Sequence, residues 1–275
     1  MSFTFKKIPP HPVLAPYIEK MWVFESSGRL PSDDMKLVVP NGNLKLTIAY
    51  SNGIIASVAA TVFRAKEHSI MLTGLVDAPL TLDVAHDEKA GTIGIEFNPM
   101  GAYRFFQAGI STIKNQICGL GDLLDKTGQQ LENRIADAPG VQQKITILQQ
   151  FLIRQLAMHP VDPIFEFCTA AIQSTQGRIT IGELEDKTGY SRRWLDMKFN
   201  EKLGASPKNL SSIIRFKNFY QAMLDGNDTV VQKNNFYDYY YDQSHFIRSF
   251  RRFTGVTPKR LAAADNHFGK KFYGE

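Results

Sequence analysis

The chain has 275 residues, 43% of them hydrophobic and 21% charged, a balance that suits about two packed domains and excludes extended disorder. The formal net charge of +5 is unevenly placed: residues 160–275 hold 17 Lys/Arg against 13 Asp/Glu, and residues 1–159 hold 15 against 14, so an anionic partner is expected at the C-terminal end. Two cysteines without a CxxC pair, no secretory apolar run at the start and no stretch near the ~20 apolar residues of a membrane span predict a soluble cytoplasmic protein with no membrane partner.

The first hundred residues read as β-rich. Residues 36–39 and 44–50 are β-leaning runs flanking Pro40-Asn41-Gly42-Asn43, where Asn-Gly predicts a hairpin turn because both residues tolerate positive φ. Further strands are predicted at 54–58, 70–74, 80–84 and 92–97, with turns at Asn52-Gly53, Asp77-Ala78-Pro79 and Lys89-Ala90-Gly91. Short strands at this spacing suggest a curled sheet or barrel. Helices are predicted at 14–21 and 101–108.

From about residue 122 the apolar spacing turns helical, over 122–126, 129–136 and 141–159. In the last of these Val141, Ile145, Leu148, Leu152 and Leu156 form one stripe, and Pro160 ends it. This predicts a helical connector that packs against its own domain or contacts a second copy.

The segment 179–199 predicts two short helices joined by a tight turn. Thr180 and Glu183 make a capping box, Gly189 ends the first helix and Ser191 caps the second. Leu195 and Phe199 dock on Leu184, which leaves Arg192, Arg193, Asp196 and Lys198 facing away. The segment 242–259 repeats the logic. Asp242 caps a helix with a Phe246, Phe250, Phe253 stripe, and Gln243, Ser244 and Arg248 point outward with groups suited to base edges. Arg251, Arg252, Lys259 and Arg260 add cations suited to phosphates. Each such helix is followed by Gly-x-(Ser/Thr)-Pro, at Gly204–Pro207 and Gly255–Pro258, which stops one helix and starts the next.

The run Tyr241-Asp242-Gln243-Ser244-His245-Phe246-Ile247-Arg248, continued by Phe250, Arg252-Phe253-Thr254-Gly255 and Thr257-Pro258, resembles the AraC/XylS family of transcriptional regulators over residues 164–263. The resemblance implies an all-α domain of seven helices with two recognition helices, here 191–203 and 242–254, in successive major grooves. It implies base contacts from Arg192, Arg193, Asp196, Gln243, Ser244 and Arg248. Lys198, Arg251, Arg252 and Lys259 are expected at phosphates. Three departures stand out: Glu185 and Asn235 where the family has a small residue, and Tyr239 where it has the second turn glycine. Together with Asn234, they put the docking of the second unit in question. The segments 10–18, 39–46 and 94–102 are similar to an N-terminal domain often found before this module, which implies a sensor or dimerisation role.

The predicted fold is α+β: a β-rich, barrel-like sensor domain over 1–118, a helical connector over 119–160 and an all-α domain with two helix-turn-helix units over 161–265. The expected function is a sequence-specific transcription regulator that binds double-stranded promoter DNA, with a small-molecule effector in the N-terminal domain and RNA polymerase and a second copy as candidate partners. Catalysis is not expected. His11, His68 and His86 lack metal-ligand spacing, no phosphate loop, GxSxG or HExxH is present, and Cys118 has no cation beside it. No catalytic residue, cofactor or metal is therefore assigned. The rival reading is a ligand-binding or protein-interaction module whose helix-turn-helix units have decayed.

Overall fold

The computed structural model describes residues 3–106, 109–224, 240 and 242–274. Ten strands come first: β1 (Phe3–Ile8), β2 (Ile18–Ser26), β3 (Leu37–Val38), β4 (Leu44–Ser51), β5 (Ile54–Val58), β6 (Thr61–Ala65), β7 (Ile70–Thr73), β8 (Leu80–Val84), β9 (Ala90–Phe97) and β10 (Ile117–Gly119). They form a six-stranded sheet in the order β1-β2-β9-β4-β7-β10 and a four-stranded sheet in the order β3-β8-β5-β6. The chain passes back and forth between the sheets. The α+β class is as read from the sequence.

The six-stranded sheet is covered on both faces. Leu46, Ile48, Ile93 and Ile95 join a large core with the helices, whereas Trp22 and Phe24 look the other way, into a second core shared with the four-stranded sheet. Every residue of β9 is buried, as a central strand with two covered faces requires. Gly94 is needed there because the Trp22 indole lies where its Cβ would be.

Three local expectations fail. Residues 14–21 are not helical: turns over 12–17 lead into β2, whose apolar residues point to both faces and so imitate helical spacing. Asn41-Gly42 makes no hairpin, because β3 pairs with β8 while β4 pairs with β9 and β7. Gly42, at φ +87°, instead carries the chain from one sheet to the other, close against Leu210 and Ile214. The helix expected at 101–108 is a single 3-10 turn, Ala102–Arg104, and residues 107–108 lie outside the described residues.

Helices follow: α1 (Leu120–Ala136), α2 (Val141–Met158), α3 (Pro163–Ser174), α4 (Ile181–Thr188), α5 (Arg192–Leu203), α6 (Pro207–Leu224), α7 (Gln243–Thr254), α8 (Pro258–Ala263) and α9 (His267–Gly274). Helix α1 breaks at Leu124 and Asp125, inside the first of the two helices predicted there rather than between them. In α2, Ile145, Leu148 and Leu152 are buried in the large core. Residues 225–239, with Asn234, Asn235 and Tyr239, lie outside the described residues.

At the end of β9 the Glu96 carboxylate is fully buried. Its Oε1 accepts hydrogen bonds from the Asn41 and Asn43 amides, the second at 2.9 Å, and the Lys45 and Lys20 ammonium groups stand 3.9 and 3.5 Å away. Burial opposes ionisation, yet the two lysines and two amides outweigh it and hold the carboxyl down to about 2. Burial also pulls Lys45 below the usual lysine range, with Glu96 acting against that pull.

Candidate nucleic-acid interface

The first helix-turn-helix unit is α4 and α5. Thr180 Oγ1 accepts from the Glu183 N–H at 3.2 Å, and Glu183 Oε2 accepts from the Thr180 N–H at 2.7 Å, which closes the capping box. Gly189 takes φ +72° with open space around it, so the left-handed turn alone asks for glycine there. Ser191 caps α5, and Leu184, Leu195, Phe199 and Leu203 are fully buried. Glu185 finds its use here. Its carboxylate accepts the Arg192 N–H at 2.6 Å, so it caps the first turn of α5 from across the bend and suits the positive end of that helix.

Opposite the buried stripe of α5, Arg193, Met197 and Asn200 follow one another at i, i+4 and i+7, all exposed. Arg192 is exposed and lies 3.8 Å from Asp196, which is half-buried. Lys198 turns inward: its ammonium is 2.9 Å from Asp162, the cap of α3, and 5.1 Å from the Trp194 ring centre. Trp194 stacks on Tyr190 at 3.9 Å. Sequence reasoning passed over Met197 and Asn200, although their spacing opposite Leu195 and Phe199 carries the signal.

The described part of the second unit is α7, capped by Asp242 through the His245 N–H at 2.7 Å. Phe246 meets Phe219 at 4.7 Å, and Phe250 and Phe253 meet Phe216 at 5.6 and 4.9 Å, so α7 docks on α6 through aromatic rings. Burying each such ring contributes about 1.5–3 kcal/mol. On the far side Ser244, Arg248 and Arg251 share one line at i, i+4 and i+7, all exposed, with Gln243 at the helix start. Lys259 and Arg260 are exposed on α8. Among the described residues Arg193, Arg248, Arg251, Lys259 and Arg260 have no ion pair.

Arg252 is placed differently. It is bound to Asp77, a buried carboxylate in the loop after β7 that also holds Lys114 at 2.8 Å, the Asn209 amide at 2.9 Å and the Asn115 amide at 2.7 Å. Burial opposes ionisation of Asp77, but hydrogen bonds from Lys114 and Asn115, with the charges of Lys114 and Arg252, hold it down to about 2. Beside this clasp Pro79 presses on Gly255, the left-handed C-cap of α7. A carboxyl with a depressed folded pKa stabilises the fold above its unfolded value, and that contribution is lost as pH falls from about 4 to about 2. Acid titration of the unfolding midpoint should show Asp77→Asn lacking roughly 2 kcal/mol of stability at neutral pH, with the gap to the parent closing over that window. A gap that stayed constant down to pH 2 would refute the ionised clasp.

Elsewhere the chemistry is quiet. Burial, with Asp122 nearby, pushes the Cys118 thiol up. Among the described residues no group of three His, Cys, Asp or Glu is placed to hold a metal, and no helix is long and apolar enough to cross a membrane.

Residues 184–264 match a family model described as a helix-turn-helix domain, and residues 6–119 match one described as a domain of unknown function, DUF6597. The C-terminal third is an AraC-type helix-turn-helix domain. The AraC-type domain is a DNA-binding module of transcription regulators. No curated protein matches the chain. Among solved structures, ToxT from Vibrio cholerae is similar at 13% identity, with 87% of this chain and 97% of ToxT covered and a TM-score of 0.46. An unsaturated fatty acid-bound ToxT aligns at 13% identity, with 87% and 94% covered and a TM-score of 0.45. The Cnp3 cupin domain of Schizosaccharomyces pombe aligns at 15% identity over 35% of this chain and 64% of its own, with a TM-score of 0.28.

Proposed function

We propose that the chain is a cytoplasmic, sequence-specific transcription regulator in which residues 161–265 bind promoter DNA and residues 1–118 sense an effector, with 119–160 as connector. One observation carries the reading: α5 and α7 each bury an apolar stripe and each present an exposed arginine-bearing line on the opposite side. Such a line reaches base edges when its helix lies in a major groove. Arg193 on α5, and Ser244 and Arg248 on α7, are assigned to bases, together with Arg192, Asp196 and Gln243. Arg251 and Lys259 are assigned to phosphates. Lys198 and Arg252 join them only by leaving Asp162 and Asp77.

Contacts between the N-terminal sheets and the DNA-binding helices support effector control. Asp77 grips Arg252, Glu19 lies 3.5 Å from Lys217 on α6, and Gly204 at the end of α5 sits against the Ile110 carbonyl. An effector with unequal affinity for two arrangements of these contacts shifts their populations. Mobility-shift titration over a range of salt concentrations tests the DNA reading. Tight binding to one operator, with log affinity falling against log salt at a slope of about −2 or steeper for the two neutralised phosphates, is the expected outcome. Weak binding indifferent to sequence would point to a decayed module.

A further inference from the structure

Two of the buried side chains between the β-sheets come from outside the N-terminal domain. They are Phe268 and Phe272, only 3% and 5% exposed, and they arrive from α9 at the other end of the chain. Phe272 meets the Trp22 indole edge-on at 5.2 Å, and Phe268 lies 5.9 Å from both Phe5 and Phe24. Behind these rings a cavity remains between the two sheets, walled mainly by apolar side chains, with Thr47, Thr73, Thr92, Lys45 and Asp83 as its polar points.

Helix α9 is held by a polar grip as well as by its rings. The Asn266 side chain accepts from the Leu37 N–H at 2.8 Å and donates to the Leu37 carbonyl at 3.0 Å, so it pairs with the open edge of β3 as a strand would. Asp34 Oδ2 accepts the Phe268 N–H at 2.8 Å, and the Lys20 ammonium donates to the Phe272 carbonyl, so both ends of the short helix are satisfied by the N-terminal domain. Gly269 permits the approach, since a Cβ there would overlap the Leu37 carbonyl oxygen. Only residues 264–266 join α9 to α8, so the tail can leave without breaking another element. An eight-residue helix has little stability of its own in water, so its order comes from this docking.

We propose that α9 is an internal ligand of the N-terminal domain. An apolar molecule the size of one or two fused rings binds between the sheets by displacing Phe268 and Phe272, and tail docking and ligand binding exclude each other. The lining selects the chemistry. An apolar wall favours a ring compound over a sugar or nucleotide. Because α9 follows α8 directly, its departure also removes a tether between the helix-turn-helix domain and the sheets. That last step rests on the effector-controlled reading above, whereas the displacement itself does not.

The test uses the full chain and 1-anilinonaphthalene-8-sulfonate as probe. Asn266→Ala, which leaves the cavity lining intact, and Phe272→Leu, which keeps an apolar side chain, should each bind the probe at least tenfold more tightly than the parent. Each must retain a cooperative unfolding transition, and Arg260→Ala should bind as the parent does. In the parent protein, which needs no variant to fold, saturating probe should speed amide exchange of residues 267–272 at least tenfold. Unchanged tail protection at saturating probe would overturn the proposal, as would parent-like probe affinity in a variant whose tail exchanges freely. Operator affinity measured with and without probe separates the two levels. A displaced tail with unaltered DNA affinity overturns the tether. Absence of any specific DNA binding by the parent overturns the regulator reading and leaves the displacement standing.

Discussion

Replacing Glu96 with alanine is expected to cost about 3–5 kcal/mol of folding stability, the range seen when one partner of a buried ion pair is removed. The carboxylate is wholly buried and is the common partner of Lys45, Lys20, Asn41 and Asn43. Among the described residues, alanine leaves the Lys45 ammonium with the Asn41 side-chain oxygen at 3.3 Å and the Asn43 carbonyl at 3.5 Å. Burial already weakens the charged form of Lys45, so losing Glu96 drives it further toward the neutral amine. The damage extends beyond the sheet. Asn41 and Asn43 flank Gly42, which packs on Leu210 and Ile214, so the loop that Glu96 holds is also the seat of α6. Denaturant unfolding of Glu96→Ala, Lys45→Met and the double variant measures the coupling. The double variant should recover more than 1 kcal/mol relative to the sum of the single losses. Strict additivity would mean that the two charges are independently hydrated.

The helical half was the more legible in the sequence, because its signals are local. A capping box, a left-handed glycine and a Gly-x-(Ser/Thr)-Pro stop fix α4, α5, α7 and α8 almost residue by residue. The β half hides its signals for identifiable reasons. Strand β2 has apolar residues on both faces because both faces are covered, so its period of two disappears. Strand β6 went unread because its turn from β5 is Ala59-Ala60, with φ of +47° and +76°, a left-handed pair normally advertised by Asn or Gly. At the candidate site the exposed arginines were readable from helical spacing, whereas the inward turns of Lys198 and Arg252 were not. Their partners Asp162 and Asp77 are brought near only by the fold. Nor could spacing reveal that Phe268 and Phe272, beyond the expected domain boundary at 265, complete a core built by the first hundred residues.

Arg248→Ala is expected to lower operator affinity by about 1–3 kcal/mol, roughly 5- to 150-fold, with the loss confined to one base position. The argument is geometric. Arg248 sits mid-line between Ser244 and Arg251 on the face of α7 that points away from Phe246, Phe250 and Phe253. No carboxylate of the described residues pairs with it, so its guanidinium keeps the planar fork that matches a guanine edge. Arg251, one turn further along the same line, should behave differently. Its alanine variant should weaken all sequences alike and flatten the salt slope by about 1, the signature of one lost phosphate contact. Competition binding against a panel of operators, each altered at a single position, distinguishes the two residues. If Arg248→Ala weakened every operator equally and Arg251→Ala changed the preferred base, the N-terminal half of α7 would not be the end that enters the groove. The helix would then have to lie reversed along the duplex, with Lys259 and Arg260 on α8 nearer the bases than Gln243 and Ser244.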